Sequence, residues 1–194
     1  MSNAILVEDH ESSMVIRFNR PEIRSPLSVR VLEQLADLVG DIEKRSNIER
    51  LIFTGAGNVF ASGADLREIA ELDSNGSRRF AERGQDLIQR IADLRVITIS
   101  AVNGICFGGA LDLALACDKR IASRDAVFSH PGANLGIITG WGGTQRLPRL
   151  VGEANALEMF FTAKRVTADD AMSIGLIDEI SGDVVESALK TQLG

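Results

Sequence analysis

The chain has 194 residues, of which 45% are hydrophobic and 25% charged, and its 21 Lys and Arg against 27 Asp and Glu give a formal net charge of −6. This composition is typical of a globular protein with a sizeable core, and the length predicts one domain over residues 1–194. The acidity argues against general nucleic-acid binding. No apolar run approaches the roughly 20 residues that a membrane span needs. The N-terminus lacks the pattern of a secretory signal.

The cysteine and histidine content points to a protein of a reducing compartment without a dedicated metal site. Cys106 and Cys117 both lie in one apolar segment, which favours buried, reduced thiols in a cytoplasmic protein over a disulfide. With two histidines and no CxxC or HExxH pattern, no metal centre is expected.

The hydrophobic pattern predicts strands that alternate with helices along the chain. Strands are predicted at residues 4–8, 14–19, 49–54, 96–102, 120–122 and 126–128. Helices are predicted after an N-cap at Ser28, at 77–94 and at 106–118, and helical patterns dominate from residue 144 onwards. This alternation predicts an α/β fold with parallel strands.

Glycine-rich turns follow two of the predicted strands, at residues 54–65 and 103–110. Each turn would leave backbone N–H groups unpaired at the start of a helix, where they can face an anion. Two such donors that converge on one point would form an oxyanion hole. The alternative is a pair of tight structural turns, whereas a dinucleotide site is disfavoured because residues 55–60 lack the third glycine of GxGxxG.

A lone carboxylate, Asp112, lies within CFGGALDLALACD, a run that is apolar on every side. Burying an unpaired charge is expensive, so such a group is normally neutralised or paired. Apolar surroundings would also raise the pKa of this carboxyl towards values that suit a general base. Asp112 is therefore either a general base or a residue that is paired locally.

Four segments of the chain resemble the enoyl-CoA hydratase/isomerase family, the crotonases, in the family's order and spacing. They are TGAGNVFASGADLREI (54–69), AVNGICFGGALDLALACDKRIAS (101–123), FSHPGANLGIITGWGGTQRLPRLVG (128–152) and RVTADDAMSIGLIDEI (165–180). The resemblance implies a spiral of stacked β-β-α units rather than a doubly wound sheet. It also implies an acyl-CoA thioester as the substrate, with coenzyme A present as part of that substrate and no separate cofactor.

By matching position, the resemblance assigns the two backbone N–H groups that stabilise a thioester enolate to Ala64 and Gly109. The neighbouring residues of the predicted substrate-binding set are Ala61, Ser62, Gly63, Asp65, Leu66 and Gly108. Asp65 is interpreted as an N-terminal helix residue rather than a catalyst, and Arg67 as either a contact to CoA phosphate or an exposed charge.

Hydratases of the family use two glutamates, one of which matches Asp112 and the other Gly132, so the second acid is absent. This difference disfavours water addition and leaves double-bond isomerisation or decarboxylation open. His130 is either a substitute acid–base group or a structural residue, and Trp141 either lines the acyl pocket or fills the core. Both are included with Gly132 in the predicted substrate-binding set.

Family members usually continue past the position of Ile180 with several helices that cover the acyl pocket and build trimers. Only residues 184–193 follow here, which predicts one short helix and a shortened C-terminal part. A homo-oligomer, trimer or hexamer, is still expected from the resemblance. Two functions remain: an acyl-CoA enzyme, or a catalytically silent paralogue that binds acyl-CoA or a partner protein.

Overall fold

The computed structural model describes residues 3–192. The strands are β1 Ile5–His10, β2 Ser13–Phe18, β3 Arg50–Gly55, β4 Val59–Ala61, β5 Ile97–Val102, β6 Ile105–Phe107, β7 Lys119–Ala122, β8 Val127–Ser129, β9 Val166–Thr167 and β10 Glu179–Ile180. The helices are α1 Val29–Lys44, α2 Leu66–Ala70, α3 Ser74–Ala92, α4 Gly109–Ala116, α5 Gly143–Val151, α6 Glu153–Thr162, α7 Ala168–Ser173 and α8 Val184–Lys190. Short 3-10 helices span Pro21–Ile23 and Pro131–Leu135.

The strands form two sheets that are mainly parallel. The larger sheet has the order β1-β2-β3-β5-β7-β10, and only the β1–β2 hairpin in it is antiparallel. The smaller sheet has the order β4-β6-β8-β9, with β8 and β9 antiparallel. The prediction of an α/β fold with parallel strands is thus confirmed.

A β-β-α unit recurs along the chain. In three places a strand of the larger sheet is followed by a strand of the smaller sheet and then by a helix, through the strand pairs β3–β4, β5–β6 and β7–β8. The second strands of these units are neighbours in the smaller sheet. Because they run parallel, the turns that leave β4, β6 and β8 emerge at the same edge of that sheet. This stacking places both glycine-rich turns and the segment after β8 side by side.

Helix α1 forms where the sequence predicts it. The Ser28 side chain accepts a hydrogen bond from the Val31 backbone N–H, which satisfies one of the free donors of the first turn. The apolar positions at helical spacing face the core, and the buried ones are Val31, Leu32, Leu35, Val39 and Ile42.

Two predicted helix starts are wrong. Helix α3 begins at Ser74 rather than residue 77, because the Asp73 side chain accepts a hydrogen bond from the Gly76 N–H and caps the helix earlier. Cys106 and Phe107 belong to strand β6 rather than to a helix, since β4 and β8 pair with β6 on either side. The chain turns at Gly108, whose φ of +54° favours glycine, and α4 begins at Gly109.

The predicted short helix after β10 is α8, Val184–Lys190, while Leu193 lies outside the described residues. Between residues 3 and 192, no helix combines the length and the hydropathy that crossing a bilayer requires.

Candidate active site

A cavity of about 340 Å³ opens where the turns after β4, β6 and β8 meet. Its walls are mostly apolar and come from α2, α3, α4, α6 and the segment 130–141. The apolar lining residues are Ala64, Leu66, Ile69, Leu72, Phe80, Ala81, Pro131, Ala133, Leu135, Ile137, Ile138, Trp141 and Phe160. An apolar hollow with a few polar groups is the usual form of a small-molecule site.

The two glycine-rich turns touch each other at the bottom of this cavity. A Cβ atom on Gly63 would lie 2.7 Å from the Gly109 nitrogen and 2.7 Å from the Phe107 carbonyl oxygen. Gly63 also has a φ of +84°, which L-residues with a side chain rarely adopt. Glycine at this position therefore allows the backbones of the two turns to approach each other closely.

Backbone hydrogen bonds fix the position of both turns but do not use the N–H groups of Ala64 and Gly109. Leu27 N–H donates to the Gly63 carbonyl at 2.7 Å, and Gly108 N–H donates to the Ser129 carbonyl at 2.9 Å. Within residues 3–192, the N–H groups of Ala64 and Gly109 donate to no other protein group, and both residues line the cavity. Two unused donors on adjacent turns thus border the same cavity.

Asp112 lies one turn into α4 and is fully buried. Its Oδ2 accepts hydrogen bonds from the Thr139 hydroxyl and, at 3.2 Å, from the Trp141 N–H, whereas Oδ1 finds no hydrogen-bond partner in the described part of the chain. Burial raises the pKa of this carboxyl to about 6, against the opposing effects of the hydrogen bonds from the Thr139 hydroxyl and the Trp141 N–H and of the positive charge of Arg146. The protein thus holds a carboxyl in the cavity wall that changes its protonation near neutral pH.

His130 faces the same carboxyl from the end of β8. Its Nε2 lies 3.7 Å from Asp112 Oδ1, and its ring packs 5.0 Å from the Phe160 ring, centroid to centroid. Among the described residues, neither ring nitrogen has a hydrogen-bond partner, and the side chain is 3% exposed. Burial lowers the pKa of this imidazole to about 4, so it is neutral at pH 7.

Most residues singled out in the sequence line the cavity, and three do not. The lining ones are Ser62, Ala64, Leu66, Gly108, Gly109, Asp112, His130, Gly132 and Trp141. Ala61 is buried in β4, and Gly63 lies beneath the turn against Gly109. Asp65 caps α2 through the Arg67 N–H and pairs with the exposed Arg67 guanidinium at 2.7 Å.

Packing decides between the two interpretations of Trp141 and agrees with the buried thiol predicted at Cys106. The Trp141 indole lies directly over the backbone of Gly84 and Gly109, where no Cβ atom fits, so it fills the core and also lines the cavity. Cys106 is fully buried in β6, and burial raises the pKa of its thiol well above the usual range, which agrees with an inert residue.

Thr139 was missed in the sequence because it lies 27 residues from Asp112, and nothing within the segment 128–152 marks it as a partner of that carboxylate. Only the folded chain brings its hydroxyl to the carboxylate. The hydroxyl, together with the Trp141 N–H, occupies Oδ2 and leaves Oδ1 as the free oxygen.

Gly132 carries no acid, and the surrounding backbone leaves no room for a side chain. A Cβ atom there would overlap the Ile137 carbonyl oxygen. The backbone N–H of Ile137 also donates a hydrogen bond to the Gly132 carbonyl at 3.0 Å.

We expect Gly132→Ala to lower the free energy of unfolding by about 1–3 kcal/mol, measured by urea denaturation, because a backbone atom must move. Gly140→Ala, which meets open space, serves as the control, and equal urea midpoints for the two variants would contradict the prediction.

The sequence and the fold match one family of known proteins. The profile of the family described as enoyl-CoA hydratase/isomerase matches residues 8–192. A short-chain-enoyl-CoA hydratase of Clostridium acetobutylicum is 38% identical over 179 residues, which cover 92% of this chain and 69% of that protein. A crotonyl-CoA hydratase of Syntrophomonas wolfei is 38% identical over 177 residues, covering 91% of this chain and 68% of the relative.

The crystal structure of an enoyl-CoA hydratase from Bacillus anthracis superposes with a TM-score of 0.92 at 34% identity, covering 97% of this chain and 74% of the other. The Pseudomonas aeruginosa protein DspI gives the same TM-score at 36% identity, covering 97% of this chain and 78% of that one. This chain therefore spans roughly two thirds to three quarters of the length of these relatives. The family profile and the superpositions agree with the stacked β-β-α units described above: the chain belongs to the enoyl-CoA hydratase/isomerase family and has the crotonase fold.

Proposed function

We propose that this protein adds water to a 2-enoyl-CoA thioester through an enolate. The observation that carries the proposal is the meeting of two unused backbone N–H groups, at Ala64 and Gly109, with a buried carboxyl of raised pKa, Asp112, around one apolar cavity. Apolar walls suit an acyl chain, and N–H donors suit a thioester oxygen that gains negative charge. The relatives described above are named as enoyl-CoA hydratases, which favours hydration within the family.

The Ala64 and Gly109 amides stabilise the intermediate. When a nucleophile attacks C3 of the enoyl group, the C2=C3 electron pair shifts and the thioester oxygen becomes an enolate oxygen. Donors already in place hold that charge without reorganising, and each typically contributes about 3 kcal/mol to lowering the barrier. Only backbone groups are needed for this role, so it depends on the shape of the turns rather than on a side chain.

Asp112 moves the proton. As a carboxylate it accepts a proton from the attacking water at Oδ1 and then delivers it to C2, after which the enolate returns to the thioester. One water is added, and the carboxylate is regenerated. A general base works best when its pKa lies near the working pH, which fits a value of about 6 for Asp112.

The pH dependence of hydration follows from Asp112. We expect kcat/KM to rise with pH and to level off above a pKa of about 6, since the carboxylate form must be present to accept the proton. Thr139→Val should shift this acid limb to higher pH, because the Thr139 hydroxyl stabilises the charged carboxylate and lowers its pKa. Initial rates from about pH 4.5 to about pH 8 test both statements. Thr162→Val is the control, because the Thr162 hydroxyl donates to a backbone carbonyl within α6. A pH–rate profile that is unchanged in Thr139→Val would contradict the assignment of Asp112 as the general base.

A second candidate, migration of a double bond from C3=C4 to C2=C3, is favoured by a specific observation. Gly132 stands where the resemblance places the second hydratase glutamate, and the Ile137 carbonyl leaves no space for a side chain there. A single base can remove a proton from C2 and return one to C4 through the same enolate without any water. Asp112 alone would be sufficient for that reaction.

One experiment tests the proposal and separates its alternatives. Crotonyl-CoA and a 3-enoyl-CoA are incubated with the protein in heavy-oxygen water and in deuterated water, and the products are analysed by mass spectrometry. Oxygen uptake from water supports hydration, and a shifted double bond without oxygen supports isomerisation. Deuterium exchange at C2 of butyryl-CoA reports enolate formation by itself. CoA binding without any of these reactions would overturn the proposal and support the silent paralogue.

A further inference from the structure

We propose that His130 is a second catalytic residue, which holds the attacking water together with Asp112 in a site where Gly132 supplies no second carboxylate. This inference rests on the proposed function, and it assigns to His130 the water-dependent part of the reaction only.

The two side chains present free polar atoms to each other inside the cavity wall. Within residues 3–192, both nitrogens of His130 and the Oδ1 of Asp112 are buried without a hydrogen-bond partner. Leaving a buried polar atom unsatisfied is costly, so the facing pair of His130 Nε2 and Asp112 Oδ1 indicates a place that another molecule completes. Both residues line the cavity, from which that molecule can enter.

The spacing fits one water molecule. His130 Nε2 and Asp112 Oδ1 lie 3.7 Å apart, which is too far for a direct hydrogen bond. A water about 2.8 Å from each atom forms a triangle with them and can direct one hydrogen to each acceptor. Its lone pair then faces away from both, into the cavity that the acyl chain would occupy. In this arrangement the imidazole carries its proton on Nδ1 and accepts through Nε2.

Burial, which lowers the pKa of the imidazole, keeps His130 neutral even though the Asp112 carboxylate by itself would favour the protonated form. Asp112 faces it from α4, the Phe160 ring covers it from α6, and Arg146 of α5 acts on the Asp112 carboxylate. Because the Thr139 hydroxyl and the Trp141 N–H bind Oδ2, only Oδ1 remains for the water.

The reaction balances with a single proton in transit. The water oxygen bonds to C3, its first proton passes to Asp112 Oδ1, and the C2=C3 electron pair moves to the thioester oxygen. Asp112 then returns that proton to C2 as the enolate collapses. The second hydrogen of the water stays on the new hydroxyl group throughout, hydrogen-bonded to His130 Nε2. The imidazole therefore orients the water without changing its own protonation.

If His130 holds the water, its removal should slow hydration without slowing proton exchange at C2, whereas loss of a merely structural histidine would affect both reactions. We expect His130→Leu to slow the hydration of crotonyl-CoA by at least about 100-fold and to leave deuterium exchange at C2 of butyryl-CoA within about threefold, because exchange needs no held water. His130→Gln keeps an acceptor oxygen and should recover most of the hydration rate. The matched control is His10→Leu, since His10 lies in β1, near Glu8, and outside the cavity lining.

If His130→Leu does not fold, a measurement on the wild-type protein still tests the inference. Nitrogen-15 shifts of labelled histidine should show His130 neutral at pH 7 and protonated on Nδ1, and a proton on Nε2 would overturn the inference. So would wild-type hydration rates in a folded His130→Leu. A wild type that isomerises but never hydrates, or one that shows neither C2 exchange nor hydration, would instead overturn the proposed function of water addition itself.

Discussion

Gly63→Ala is expected to lower kcat for crotonyl-CoA hydration by about 100- to 1000-fold, the usual effect of losing one oxyanion-hole donor. The added methyl group would lie 2.7 Å from the Gly109 nitrogen and 2.7 Å from the Phe107 carbonyl oxygen, so the two turns must separate. Once they separate, the Ala64 and Gly109 N–H groups could no longer bind together the thioester oxygen that the proposed function assigns to them. Because these donors act on the charge of the transition state, the loss should be seen in kcat more than in KM.

Gly152→Ala is the matched control for this variant. Gly152 has a φ of +81°, close to the +84° of Gly63, so both substitutions place an L-residue at a positive φ. A Cβ atom on Gly152 meets nothing within 4 Å, however, and the residue lies outside the cavity lining. We expect it to lose stability with little loss of kcat. Equal kinetic losses in both variants would show that backbone strain, rather than the position of the two amides, explains the effect of Gly63→Ala.

Asp112→Asn is expected to lose about 100- to 10,000-fold in kcat and to gain stability at the same time. The amide is close to the carboxylate in size but cannot accept and return a proton. It also removes the need to bury a charge, because the folded protein raises the pKa of Asp112 to about 6. Such an exchange of stability for a reactive group is common at active sites. An active Asp112→Asn variant would contradict the assigned base.

The gain in stability has a defined pH dependence. Below about pH 4, Asp112 is protonated in both the folded and the unfolded chain, so the wild type bears no penalty relative to the variant. As the pH rises from about 4 to about 6, the unfolded chain has released this proton while the folded one still holds it, so the wild type loses stability until the folded carboxyl also ionises. We expect the variant to exceed the wild type by about 1–3 kcal/mol at about pH 8 and to match it near pH 3.

Urea denaturation of the two proteins at both pH values measures this difference. Asp86→Asn, an exposed carboxylate of α3, is the control and should change neither activity nor stability. A wild type that is more stable than Asp112→Asn at pH 8 would contradict the raised pKa.

The sequence by itself determined the local elements whose signals lie within a few residues. The period of apolar residues in α1 and its Ser28 cap predict that helix, because both depend on neighbours at most four positions away. The paired glycines of the two turns predict close backbone approach for the same local reason. Where a boundary depends on a partner strand, as for Cys106 and Phe107 in β6, local pattern failed, because pairing with β4 and β8 overrides the helical preference of the segment.

The candidate site was only partly accessible from the sequence. Asp112 is conspicuous there as a charge in an apolar run, but its state depends on Thr139 and Trp141, which join it from 27 and 29 positions further on. Whether His130 is structural or chemical likewise depends on its 3.7 Å distance from Asp112. Burial and hydrogen bonds between distant segments, which set protonation, arise only when the turns after β4, β6 and β8 are stacked at one edge of the sheet. The tertiary structure therefore decided which polar atoms stay free to react.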